Sequence, residues 1–317
     1  MASFSHASVI DWLLDSDPSI RWQVMRDLTN EPQAIVARER SRVASEGWGA
    51  RLLDLQGADG HWGGAAFVPR AWISTQDTLQ LLRDLGVDPA NDRVRRAIGQ
   101  VRDRCTWGAE FGDSPFFEGE VEPCINGRVL AIGAYFGEAS DRLVDRLLGE
   151  QLEDGGWNCD APRSRRSSFH TTICVLEGLL EYEAAKGPRA DVTAARLRGQ
   201  EYLLERRLFR SRSTGEIIET DRKTRTKAAW TQISFPTRWH YDILWALDYL
   251  RRAGVEPDSR VAEAVDLLAR KRDPLGRWPL ENPHAGPVHF EMEGRAGEPC
   301  RWNTLRALRV LRWVPGP

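Results

Sequence analysis

Apolar residues recur along this chain at helical spacing, three or four positions apart, from the first turn to the last. Runs with the two-residue alternation of strands are nearly absent. The pattern therefore predicts an all-α protein. Two kinds of helical run alternate. One kind is apolar on most sides: 18–28, 74–85, 123–132, 169–179, 239–247 and 299–308. The other is amphipathic and charged: a short run at 8–14, then 31–46, 92–104, 140–151, 190–207 and 258–271. Helices apolar all round belong inside, and those with a charged face belong outside. Six such pairs predict an (α/α)6 toroid, a barrel of six helical hairpins, over residues 1–317 as a single domain. An open helical solenoid satisfies the same pattern.

A repeated turn marks the hairpins. Gln56…Gly60-His61-Trp62 and Gln151…Gly155-Gly156-Trp157 share the form Gln-x-x-x-Gly-x-Trp, and Arg272…Gly276-Arg277-Trp278 is a degenerate third copy. Each closes an apolar helical run, 51–55, 142–152 and 261–269, and is followed by a loop and another helical run. Pro sits at or just before the first turn of several inner runs, with Ser, Thr, Asp or Glu at the cap.

Composition narrows the class. Hydrophobic residues make up 41% and charged residues 28%, the balance of a protein with an ordinary core. A net charge of -2 gives no reason to expect a nucleic-acid partner. No run of ~18 apolar residues predicts a transmembrane helix. The first residues lack the basic and apolar segments of a signal peptide. Five cysteines, an odd number, predict no disulfide framework and a cytoplasmic location. Thirteen tryptophans call for repeated plugs or an aromatic cavity. Trp62, Trp157 and Trp278 belong to the turns, while Trp22, Trp239, Trp245 and Trp302 fall on inner runs, where they either line a cavity or pack between the rings.

The candidate chemistry lies where inner helices begin. Aligning those starts gives a column of Ser19, Thr75, Cys124, His170, His240 and Cys300. Thiolate and imidazole are preferred zinc ligands, and the helix N-terminus favours a thiolate. Cys124, His170, His240 and Cys300 are thus the expected metal ligands at one rim. Four would close the site, and three would leave a position for water or substrate. The same residues could equally pack or hydrogen-bond at the rim. Cys159 and Asp160 are alternative ligands. Asp242, two positions after His240, is a candidate general base or second-shell acid, and also a candidate helix cap. Glu177 lies two turns below His170, with Arg128 as its expected partner, either as an ion pair or as a site acid. His6, His61, His284 and His289 have no partner spacing and are expected at the surface. The long connection 209–236 is basic, as is 163–166; both would flank the rim.

The Gln-x-x-x-Gly-x-Trp turns resemble those of the prenyltransferase and squalene-cyclase repeat superfamily, whose members are α/α toroids. Gly155-Gly156-Trp157 followed by Ser168-Phe169-His170-Thr171-Thr172 is similar to the zinc-binding segment of protein prenyltransferase β subunits, where the matching histidine is a ligand. Glu122-Pro123-Cys124 matches that family's acid-x-Cys ligand pair. The resemblance implies zinc held by Glu122, Cys124 and His170, and a small-molecule substrate that is isoprenoid or otherwise lipophilic. The approach to Cys124, with Glu118, Glu120 and Glu122, is acidic where that family is basic. The Asp-x-Asp-Asp motif of proton-initiated terpene cyclases and an Asp-Asp-x-x-Asp diphosphate motif are both missing.

The expected protein is a zinc-dependent enzyme acting on a small, partly apolar molecule in a central cavity that opens where the inner helices start. Glu122, Glu177 and Asp242 are its candidate catalytic carboxylates. Its rivals are an isoprenoid transferase or terpene cyclase, and a non-catalytic binding or scaffold protein with a structural metal.

Overall fold

Each inner helix starts at a residue that satisfies its free amides. In a computed structural model describing residues 6–218, 229–292 and 294–314, Asp17 caps α2 (Pro18–Asp27) and Ser74 caps α5 (Thr75–Leu85). Ser168 caps α9 (Phe169–Lys186), Asp242 caps α11 (Ile243–Arg252) and Cys300 caps α13 (Arg301–Trp313). Helix α7 (Pro123–Phe136) begins on proline with Glu122 at the cap position. The outer helices are α1 (His6–Leu14), α3 (Gln33–Ser41), α4 (Gly47–Asp54), α6 (Asp92–Arg104), α8 (Asp141–Gly149), α10 (Ala190–Leu204) and α12 (Ser259–Arg270). Only isolated β-bridges occur among the described residues.

The inner helices form a closed ring, so the toroid is observed and the open solenoid is not. Helix α13 packs on α2. The seam is polar: Arg309 binds the Gln23 side chain at 2.8 Å and pairs with Asp27. The closest contact in the ring is α7 on α9, where a Cβ at Gly127 would meet the Cys174 backbone at 2.6 Å. Only glycine allows that approach. It draws the start of α7 against the loop before α9.

The turn motif has a physical reason. Trp62, Trp157 and Trp278 are fully buried. Each donates its indole N–H at 2.7 Å to the carbonyl ten residues earlier, Leu52, Leu147 and Leu268. Each backbone N–H donates to a threonine hydroxyl on the next inner helix, Thr75, Thr172 and Thr304. The Gln56 and Gln151 amides bridge the turn to the following outer helix, at Ala97 and Ala195. The motif therefore ties three helices together. In the third copy Asp273 closes the turn through the Leu275 and Arg277 amides.

Candidate functional site

The predicted ligand column does not gather at one point. Cys124 and His170 sit at the second residue of α7 and α9. His240, however, precedes α11, because the cap is Asp242. Cys300 is itself the cap of α13, fully buried, with its sulfur accepting from the Asn303 amide at 3.3 Å. Aligning by turn residues rather than by apolar runs would have shown the slip: Thr172 and Thr304 are equivalent, so Cys300 matches Ser168.

Among the described residues, the donors that do lie within 4.8 Å of one another are those of Glu122, Cys124 and Cys159. The Cys159 and Cys124 sulfurs are 2.9 Å apart, and Cys124 Sγ is 3.6 Å from a Glu122 oxygen. Cys159 also meets the Thr171 hydroxyl at 3.4 Å. Hydrogen bonding to Cys159, then burial, hold the Cys124 thiol well above the usual range. Glu120 shapes the approach. Its buried carboxylate accepts from the Val121 and Glu122 amides, the latter at 2.7 Å. Its backbone is pinned by the Asn126 side chain. Burial raises the Glu120 carboxyl, against those two amide bonds.

The donor chemistry suits zinc: two thiols and a carboxylate, all partly open. The 2.9 Å contact is longer than a disulfide bond of ~2.05 Å. Two thiolates on one tetrahedral zinc keep ~3.8 Å, so a metal would spread the sulfurs by about 1 Å.

His170 is not one of the donors that gather there. Its Nδ1 accepts from the Tyr241 amide at 2.8 Å, and its ring packs on Trp230, Trp239 and His240. His240 stacks on Trp239 at 3.8 Å and on His284 at 4.0 Å. His284 is not a surface residue. Its Nε2 lies 3.1 Å from the Ser234 hydroxyl, and burial, then the Arg238 charge, lower it to about 4. His289 likewise meets the Thr78 hydroxyl at 2.9 Å. Asp242 accepts from the Trp245 and Ser234 amides as a cap, and burial raises its carboxyl.

The loops carrying these histidines cover the end where inner helices begin, which corrects the expected opening. The Trp72 indole is held by the Ala285 carbonyl at 3.0 Å, and Arg238 lies over its ring at 5.3 Å. The large cavity, about 520 Å³, lies nearer the other end. Seven arginines and four carboxylates line it, with the rings of Trp22, Phe235, Trp245 and Trp302. Glu177 is in its wall, about 10 Å deeper than His170 by helix rise.

Glu177 does not pair with Arg128, as expected. It meets Arg83 at 2.5 Å and Arg252 at 3.0 Å. Burial opposes its ionisation, but the two guanidinium groups bring it down to about 2. Such a carboxylate is a charge partner, not a proton donor at neutral pH. Arg128 pairs instead with Asp77 at 2.9 Å, both buried. Of the basic loops, Arg210 is paired with Glu263 and Arg212 with Glu205. Arg222, Lys223, Arg225 and Lys227 lie outside the described residues.

No protein-family model and no curated protein sequence matches the chain. Solved structures resemble it in overall path. A type II terpene cyclase, MstE from Scytonema in its apo form, is 16% identical with a TM-score of 0.46, over 96% of each chain. A variant of that cyclase holding geranylgeranyl dihydroxybenzoate is 15% identical with a TM-score of 0.45, over 96% of this chain and 94% of that one. A protein from Actinoplanes is 18% identical with a TM-score of 0.46, over 96% of this chain and 97% of that one. No helix among the described residues is long and apolar enough to cross a membrane.

Proposed function

We propose that this chain is a zinc-dependent enzyme acting on a small, partly apolar molecule, with Glu122, Cys124 and Cys159 as the metal ligands. The observation that carries the reading is the meeting of these three donors, from two segments, at one partly exposed point. Three protein ligands leave one position on a tetrahedral ion, the arrangement of catalytic zinc. Bound there, zinc supplies Lewis acidity or lowers the pKa of a bound water or thiol. The chain's own part is preparation. The α7 N-terminus offsets part of the rise that Cys159 and burial impose on the Cys124 thiol. Glu120 orients Glu122 through its amide. The Thr171 hydroxyl fixes Cys159.

The isoprenoid transferase or cyclase reading is the second one. It is favoured by the rings of Trp22, Tyr135, Phe235, Trp245 and Trp302 on the cavity wall, which offer flat apolar surface to a hydrocarbon. The scaffold reading predicts a fourth protein ligand.

Metal analysis of the purified protein tests the proposal. One zinc per chain is expected, lost in Cys124→Ser and Cys159→Ser and kept in His170→Ala. Sub-stoichiometric metal in the wild type, or full metal in both cysteine variants, removes it.

A further inference from the structure

The cavity holds more positive charge than its own carboxylates balance. Seven guanidinium groups face four carboxylates there. Asp27, behind Arg26 and Arg309, offsets one more. Asp242, whose charge Arg306 also feels, offsets another, so the excess is one charge in a partly open cavity, where charge is less screened than in bulk water.

The arginines are also short of acceptors. Arg83 and Arg309 are each more than nine-tenths buried and line the cavity. Arg83 Nη1 and Arg309 Nε have no acceptor among the described residues, although both atoms lie behind the cavity surface rather than on it. Arg306, also buried, gives one nitrogen to the Ser234 carbonyl at 3.2 Å. Arg83, Arg306 and Arg309 reach the cavity from two helices, α5 and α13. Buried donors without acceptors are costly and rare. Planar guanidinium groups in convergence match the oxygens of phosphate and carboxylate.

The geometry points to a binding site for a small oxyanion, carrying phosphate or carboxylate groups, between Arg83, Arg306 and Arg309. Arg306 is its most available arm, since among the described residues its acceptor is a carbonyl rather than a carboxylate. Trp302 and Phe235, stacked at 4.4 Å, form the adjoining wall and would lie against an apolar part of the same molecule. The inference names the polar group of a ligand whose apolar part the second reading above sets against the cavity wall, and so rests on the reading that the cavity takes a ligand. It does not depend on the metal.

Calorimetric titration of the full chain with inorganic phosphate, diphosphate and citrate, in low-salt buffer, tests it. At least one anion is expected to bind saturably at one site, more weakly as salt rises. Preference for phosphate or diphosphate over citrate would assign a phosphorylated ligand, and the reverse a carboxylated one. Arg306→Gln is expected to weaken binding by about tenfold or more, and Arg306→Lys to recover part of it. Thr237→Glu, which adds a carboxylate to the cavity wall from a loop, is the second variant and should also weaken binding should Arg306→Gln fail to fold. Chelator-treated protein should bind the anion as before, and Arg306→Gln should keep its zinc. The inference is overturned if none of the three anions binds saturably, if both variants bind as the wild type does, or if binding disappears with the metal.

Discussion

The rim and the cavity are built on the same six helices but at opposite ends, and their chemistry is opposite. At the N-terminal ends stand a thiol, carboxylates, a hydroxyl and an imidazole: Glu122 and Cys124 on α7, Ser168 and His170 on α9, Asp242 on α11. At the C-terminal ends stand arginines: Arg26 on α2, Arg83 on α5, Arg251 and Arg252 on α11. The helix dipole accounts for the division, since free amides favour negative charge and free carbonyls favour positive charge. In a toroid all inner dipoles point the same way, so the effect of one helix is repeated around the ring. The proposed zinc at one end and the proposed anion at the other would both draw on that division.

The largest test of this contrast removes a charge from the cavity. Glu177→Gln leaves Arg83 and Arg252 without their shared partner, and we expect a loss of about 3–5 kcal/mol in urea denaturation. A loss under about 1 kcal/mol would show that the cavity arginines do not need the carboxylate.

Acid separates the two regions by window. The Glu177 carboxyl is lowered in the fold to about 2 from 4.5. Its contribution is present above the unfolded value and is lost as pH falls from about 4.5 through about 2, amounting to about 3 kcal/mol. His284 is also lowered, to about 4 from 6.5. The stability tied to its neutral form is full above about 6.5 and falls away between there and about 4, again by about 3 kcal/mol. His284→Gln should flatten the stability curve between pH 6.5 and 4 and leave the lower window unchanged. An NMR titration of the His284 imidazole with a midpoint near 6.5 would contradict this.

Zinc affinity should fall with pH as well, because the two thiols must lose protons to bind the metal. A competition assay with a chromophoric chelator at pH 8 and pH 6 measures it, and a pH-independent affinity would argue against thiolate ligands. The smallest effect is expected at Cys300. Serine caps a helix as well as cysteine does, so Cys300→Ser should change stability by no more than about 1 kcal/mol and leave zinc content intact. Loss of zinc in that variant would restore the column as the ligand set.

Much of the architecture was legible before any coordinates. The predicted run 92–104 is α6 to the residue, and 190–207 and 258–271 differ from α10 and α12 only at their ends. Helical period and capping are local, so short stretches carry them. The site was only partly legible. Glu122 and Cys124 are two residues apart and stand out; Cys159 was an alternative without a reason to prefer it. Its reason is the glycine contact between α7 and α9, which no spacing reveals. The column failed at His240 and Cys300 because apolar runs locate a helix to within a few residues, and a ligand set needs the exact turn. Arginine recurs in the last turn of several inner helices, a pattern that marks the cavity end in the sequence itself.

Local patterning of apolar residues, caps and Trp turns was therefore enough to specify twelve-odd helices, their alternation and their inner or outer place, because each of these depends on neighbours within a turn or two. The tertiary structure alone decided which thiols meet, which arginine neutralises Glu177 across 94 residues of chain, and which end of the ring is covered. Those outcomes depend on the rotation and depth of helices packed side by side, and a shift of one residue along any of them would turn a different side chain toward the centre.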